Sequence, residues 1–92
     1  MESIDKILQE RGEQYGDFAE FAIKSQSLKL VVKNGVGTRN MRDFQREAID
    51  MILHKIARIA NGNPDYRDSW DDIAGYAKLV ADRLPPAKTG PN

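Results

Sequence analysis

The feature that most constrains this fold is a break, Asn-Gly-Asn-Pro at residues 61–64, between two segments whose apolar residues recur at helical spacing. Asn-Gly is a strong helix stop signal and proline cannot continue a helix, so one helix ends before the break and another begins after it. A connection of only two to four residues makes neighbouring helices antiparallel. The sequence therefore predicts a C-terminal antiparallel αα-hairpin.

The same spacing predicts four helices in all. The clearest covers about 41–60, and the last runs from about 65 or 69 to 84, where two prolines end it. Two earlier helices are predicted over 4–11, ended by a glycine, and after a cap at Asp17. Residues 28–33 could instead form a strand, but the chain offers no convincing second strand. The predicted fold is all-α, a small helical bundle of about four helices.

Length and composition narrow the class of protein. Ninety-two residues make one small domain, predicted over 1–84, with a flexible tail over the proline-rich 85–92. Acidic and basic residues balance at 14 each, so nucleic acid is not indicated as a partner. No apolar run is long enough for a membrane and there is no cysteine, which favours a cytoplasmic protein. A core this small favours a homo-oligomer, a dimer or larger.

Acidic residues form the most conspicuous polar pattern. Asp43, Glu47, Asp50 and His54 share one stripe of the third helix, while Asp68, Asp71 and Asp72 cluster near the start of the fourth. Carboxylates in such numbers are the ligands that Mg²⁺ prefers, so one hypothesis is a magnesium site. Its predicted ligands are Glu47, Asp50, Asp68 and Asp71.

A simpler interpretation assigns these acids to helix caps and ion pairs. Asp65 and Ser69 each stand three residues before an aspartate in a cap-like arrangement, and acids in a first turn interact favourably with the helix dipole. Folding the hairpin at its break sets Arg58 level with Asp68 and Lys55 level with Asp71. Ligation of one ion from both helices then requires a favourable tilt or a second subunit.

Basic and aromatic residues near the break suggest a nucleotide site. Lys55 and Arg58 could neutralise phosphate charge and Tyr66 could stack on a base, with His54 and Asp72 as further possible site residues. The alternatives are a lysine whose stem lies along the apolar surface and a solvated or paired histidine. Trp70 is predicted first as a core residue. No nucleophilic triad is recognisable around His54.

Two stretches, ILQERGEQYGDF and HKIARIANGNPDYRDSWDDIAGYAKLVADRL, resemble an uncharacterised family of small proteins encoded by tailed bacteriophages and prophages. The resemblance spans most of 7–84. The chain is more distantly similar to MazG-type all-α NTP pyrophosphatases, which use an E-x-x-E and an E-x-x-D pair on consecutive helices. The matching pairs are Glu47-x-x-Asp50 and Asp68-x-x-Asp71, with Asp in place of Glu at two positions.

This likeness implies an oligomeric, magnesium-dependent enzyme that hydrolyses nucleoside triphosphates to monophosphate and pyrophosphate. The leading hypothesis is accordingly a small phage or prophage helical protein that binds nucleotides, with or without turnover. The alternative is a non-enzymatic phage interaction protein. It would inhibit or sequester either a host protein, such as a defence factor, or a signalling nucleotide.

Overall fold

The computed structural model describes residues 2–86, which contain no β-strand. The prediction of a small all-α bundle with a C-terminal antiparallel hairpin is confirmed. Most of the predicted tail, 87–92, lies outside the described residues. The elements are helix α1 (Glu2–Tyr15), helix α2 (Phe18–Lys33), a 3₁₀ helix (Val36–Asn40), helix α3 (Asp43–Asn61) and helix α4 (Arg67–Ala81).

Helix α3 is the centre of the bundle. It packs extensively against both α2 and α4, whereas α2 and α4 barely meet within residues 2–86. On one side of α3, the His54 ring lies edge-on to Phe21 of α2, with 4.8 Å between ring centroids. About 100° further round α3, Lys55 reaches across to Asp72 of α4. The bundle is therefore open, with α2 and α4 flanking a common central helix.

Helix α1 projects from this arrangement. The molecule measures 52 × 26 × 24 Å and its radius of gyration is 15.9 Å, against about 12 Å for a compact domain of this length. Every residue from 3 to 13 is exposed. The prediction that this helix ends at Gly12 is wrong, because Gly12 continues the helix and the chain turns only at Gly16, whose φ is 78°.

The helix starts differ in how well the sequence predicts them. The Asp17 cap is confirmed, since its Oδ2 accepts a hydrogen bond from the Glu20 N–H at 3.0 Å. The predicted aspartate and serine caps of α4 are wrong, because that helix begins after Tyr66 without a side-chain cap. Asp65 instead donates its backbone N–H to Asn63 Oδ1 at 3.0 Å, within the turn.

The hydrophobic core is thin. Among the described residues, only Phe21, Ala48 and Ala57 are both hydrophobic and buried, and no large side chain is fully buried. The prediction of a buried Trp70 is wrong, since its side chain is 53% exposed. Helix α4 contacts α3 through the side that carries Ser69 and Val80, about a quarter-turn from Trp70. The indole N–H donates to the Pro64 carbonyl at 2.8 Å.

No helix within residues 2–86 has the length and apolar character that crossing a membrane requires.

Candidate functional site

The corner between α1 and α2 docks against the corner between α3 and α4 through two glycines. A methyl group at Gly16 would overlap the Asn61 carbonyl oxygen, and one at Gly62 would overlap the Gln14 carbonyl oxygen. Only glycine lets the two backbones approach so closely. We call this the glycine contact. It explains why both corners contain glycine and fixes α1 relative to the hairpin.

Asparagine side chains complete the junction. The Asn61 amide donates to the Tyr15 carbonyl at 3.0 Å and to the Asp17 carbonyl at 2.9 Å, and its oxygen accepts from Lys24 Nζ at 2.9 Å. The Asn63 backbone N–H donates to the Gln14 carbonyl at 2.7 Å. The Asn-Gly-Asn-Pro break therefore does more than stop a helix, because it binds the other corner.

A pocket of about 460 Å³ adjoins this junction, between the α1–α2 corner and α3. Its walls combine aromatic side chains with two arginines and one carboxylate, Asp17, so cationic groups outnumber acidic ones, as suits an anionic ligand with an aromatic group. The cationic and ring-bearing side chains of the wall are Arg11, Tyr15, Phe18, Phe21, His54 and Arg58. We call it the Arg58 pocket.

Arg58 is held in this pocket by an aromatic ring. Its guanidinium carbon lies 4.2 Å from the centroid of the Tyr15 ring, a cation–π arrangement. Within residues 2–86, no carboxylate forms an ion pair with Arg58. The predicted pair of Arg58 with Asp68 is therefore wrong. A guanidinium that is positioned but not neutralised by a carboxylate can bind a phosphate through two parallel hydrogen bonds.

His54 forms a neutral wall of the pocket. Burial against Phe21, followed by the positive charges of Arg58, Lys29 and Lys55, lowers the pKa of His54 from 6.5 to about 4. At pH 7 its imidazole is consequently uncharged, with one nitrogen that donates a hydrogen bond and one that accepts. The histidine predicted as a possible site residue thus lies beside Arg58.

The four predicted magnesium ligands are dispersed. Asp50 lines a groove between α2 and α3, whereas Glu47 lines a separate groove between α3 and α4. With the register set by Lys55 and Asp72, Asp50 lies roughly 9 Å along the axis from Asp71 at 1.5 Å per residue. In the part of the chain that the structure describes, no three Asp, Glu or His side chains group in a way that could hold a metal ion.

The hairpin ion pairs form, but between other partners than predicted. Lys55 Nζ lies 3.0 Å from Asp72 Oδ2, not beside Asp71, and the lysine side chain is only 12% exposed. Asp71 instead pairs within its own helix with Arg67, at 3.2 Å. Since Lys55 points towards α4, it contributes its ammonium group to the hairpin and not to the Arg58 pocket.

Tyr66 and Asp68 lie outside the Arg58 pocket. The Tyr66 and Tyr15 rings meet edge to face with centroids 5.8 Å apart. A hydrogen bond with Asp68, together with its negative charge, raises the pKa of the Tyr66 hydroxyl above its usual value. Glu10 and Glu13 line the groove next to Tyr66. That groove is more acidic than the Arg58 pocket and less suited to phosphate.

Sequence reasoning misses the contribution of the first corner. The sequence patterns do not single out Arg11, Tyr15 or Phe18 as site residues, yet all three line the Arg58 pocket. The signal that could have found them is the pair of glycines in the two breaks, at Gly16 and Gly62, which marks a close approach of two chain segments.

Comparison with protein-family models matches residues 1–84 to a domain of unknown function, DUF6378. The chain belongs to the DUF6378 family. Its match covers all four helices, so the glycine contact and the Arg58 pocket lie inside the family domain. No curated protein matches this DUF6378 domain. No solved structure matches it either.

Proposed function

We propose that this DUF6378 domain binds a nucleotide, or another phosphorylated ligand with an aromatic ring, in the Arg58 pocket. The observation that supports this most directly is Arg58 itself, which Tyr15 holds at 4.2 Å and which no carboxylate of residues 2–86 neutralises. Arg11 lines the same pocket and adds a second positive charge. We propose that the two guanidinium groups bind the phosphate oxygens.

An exposed aromatic ring at the mouth of the pocket suits the aromatic group of the ligand. Phe18 is 77% exposed although it is a large apolar residue at the mouth of a pocket. Its centroid lies 6.0 Å from that of Phe21, so one side of the ring is held by an aromatic contact. Stacking of a base on such a ring contributes about 1–3 kcal/mol. We assign base stacking to Phe18, since Tyr66 lies outside this pocket.

Binding is proposed here without a hydrolytic step. The predicted magnesium ligands Glu47, Asp50, Asp68 and Asp71 do not form one group within residues 2–86, since Asp50, Glu47 and Asp71 line three different grooves. Magnesium-dependent hydrolysis of the MazG type remains a prediction that needs a second copy to gather the acids. The phage or prophage origin, the cytoplasmic location and the homo-oligomeric state also remain predictions.

The proposal is tested by calorimetric titration with a nucleoside triphosphate, the matching nucleoside and inorganic triphosphate, each with and without magnesium. The nucleotide is expected to bind more tightly than either fragment. Replacing Arg58 with Gln should weaken nucleotide binding about tenfold or more, because one charged hydrogen bond contributes about 1.5–3 kcal/mol. Phe18→Ala should weaken binding of nucleoside and nucleotide alike.

Arg67→Gln is the control, since it removes the same guanidinium group from an exposed arginine that lies outside the pocket on α4. It should bind like the parent chain. Binding of the nucleotide also brings negative charge to His54, so its imidazole resonances should titrate at a higher pH in the complex. An absence of binding at about 1 mM nucleotide, which corresponds to a binding free energy weaker than roughly −4 kcal/mol, would refute the proposal.

A second candidate function is the non-enzymatic interaction protein. Its support comes from the outer side of α2, where Ile23, Leu30 and Val31 are exposed next to Lys29 and Lys33. Apolar side chains beside lysines suit an acidic protein partner. Capture of one defined host protein that is lost on Leu30→Glu, with the Arg58→Gln variant still capturing it, would favour this function over nucleotide binding.

A further inference from the structure

The side of the hairpin opposite the predicted acids is apolar and uncovered. Helix α3 meets α2 on the side of His54 and meets α4 on the side of Lys55. At helical spacing, Ile52 and Ile56 lie on a strip of α3 that is turned away from both of these side chains. The adjoining surface of α4 is equally apolar. We define the apolar face as Ile52, Ile56, Trp70, Ala74, Ala77 and Ala81.

The apolar face is unusually exposed for a surface that consists of apolar residues. Trp70 is 53% exposed and Ile56 is 40% exposed, and the three alanines are exposed as well. At helical spacing no charged residue falls between them on either helix. Soluble single chains rarely leave a contiguous apolar patch of this kind in water. An exposed apolar face of this kind is typical of an interaction surface.

The thin core indicates that the partner is permanent. Within residues 2–86 three hydrophobic residues are buried, two of them alanines, so a single chain gains little stability from a fully buried core. A partner needed for folding has to be present whenever the chain is. A second copy of the same chain meets that condition without further assumptions.

The character of the face also favours a second copy. A surface without charge can meet its own copy across a two-fold axis without placing like charges together. Its uncharged character does not match nucleic acid or anionic lipid, which both require cations. Alanines allow the helix axes of two copies to approach closely, and Ile56 and Trp70 provide the side chains that interdigitate.

The side of the hairpin that carries the apolar face is large enough for a dimer that dissociates on dilution. About 15 residues of each helix at 1.5 Å per residue, with axes about 10 Å apart, give this side a footprint on the order of 450 Å². This is about half of the roughly 800 Å² per partner of a standard interface, so we expect a dimer at the weak end of specific association.

We infer that two copies of this chain pair through their apolar faces, so that two α3–α4 hairpins form a four-helix bundle. The Arg58 pocket and the groove that holds Glu47 stay on the outside. This inference does not depend on nucleotide binding, and either can fail without the other.

The experiment combines light scattering with tryptophan fluorescence, because Trp70 is the chain's one tryptophan. The full chain should have twice its 10.4 kDa mass at high concentration. Dilution from about 200 µM to about 1 µM should dissociate a micromolar dimer and shift the Trp70 emission to the red. A chain that stays monomeric with constant red emission over this range would overturn the inference.

Ile56→Glu is the test variant and Leu79→Glu its matched control. Leu79 is 52% exposed on α4, close to the exposure of Trp70, but lies on the opposite side of the helix with Asp72. Ile56→Glu should raise the dissociation constant at least 100-fold, while Leu79→Glu should leave it unchanged. If Leu79→Glu dissociates the dimer and Ile56→Glu does not, another surface forms the interface and the inference is wrong. Should Ile56→Glu fail to fold, the dilution series decides alone.

Discussion

Single residues decide how the two corners of this molecule meet. At both Gly16 and Gly62, a side chain would overlap the backbone of the other corner. Gly16 also has a left-handed backbone conformation, which favours glycine. By contrast, the space around Gly75 in α4 is open. Replacing a glycine of the glycine contact with alanine should therefore destabilise the fold, whereas the same replacement at Gly75 should not.

Replacement of Gly62 with Ala should destabilise the fold by more than about 2 kcal/mol, because the added methyl group overlaps the Gln14 carbonyl oxygen. Gly75→Ala should instead stabilise it by about 0.5–1 kcal/mol through helix propensity. Urea unfolding of the two variants beside the parent chain measures both. Equal free energies of unfolding for the two variants would contradict the glycine contact.

The lone histidine should make stability depend on pH. Its pKa is about 4 in the folded chain and 6.5 in the unfolded chain, so between these values the unfolded chain binds a proton that the folded chain does not. The stability due to neutral His54 is present above pH 6.5 and is lost as the pH falls towards 4. After screening at this partly exposed site, the loss is on the order of 1 kcal/mol.

Unfolding measured at several pH values for the parent chain and for His54→Gln isolates this contribution, since carboxylates titrate in both proteins. The difference between their free energies of unfolding should change over pH 4–6.5 and be constant above it. A difference that is flat over the whole range would show that His54 titrates alike in both states.

At the scale of the helices, the register of the hairpin is set by the pair of Lys55 and Asp72. Asp72→Asn should cost about 0.5–1 kcal/mol, because it leaves the largely buried ammonium group without its carboxylate. Asp71→Asn should cost less, since both Asp71 and Arg67 are well exposed. Thermal or urea unfolding of the two variants compares them, and a larger loss for Asp71→Asn would contradict the observed register.

Much of the helical arrangement could be predicted from the sequence. The four helices and the hairpin follow from apolar spacing and from the stop signal at 61–64. The partner of Lys55 could not be predicted, because a shift of one residue along α4 exchanges Asp71 for Asp72. The side of α4 that meets α3 could not be predicted either, because Trp70 marks the most apolar stripe, whereas contact occurs through the smaller Ser69. Of the residues predicted to bind a nucleotide, Arg58 lines the Arg58 pocket, whereas Lys55 and Tyr66 do not. Tyr15 and Phe18 of this pocket come from a segment that is distant along the chain.

At the scale of the whole molecule, an exposed α1 and an open bundle leave much apolar surface in water. If a second copy covers part of it, unfolding and dissociation are coupled, and the melting temperature should rise with protein concentration. Calorimetry over about a 100-fold concentration range measures this, with Ile56→Glu as the comparison. A concentration-independent melting temperature for the parent chain would contradict the coupling.

The glycine contact also has a consequence for how this domain can change over evolutionary time. Its two members are 46 positions apart, yet neither can acquire a side chain unless the opposite segment moves away. Relatives with the same corner geometry should therefore carry both glycines, and lineages that have lost one should have lost the other or altered the length of a loop. Such paired inheritance would identify the relatives in which α1 still rests on the hairpin.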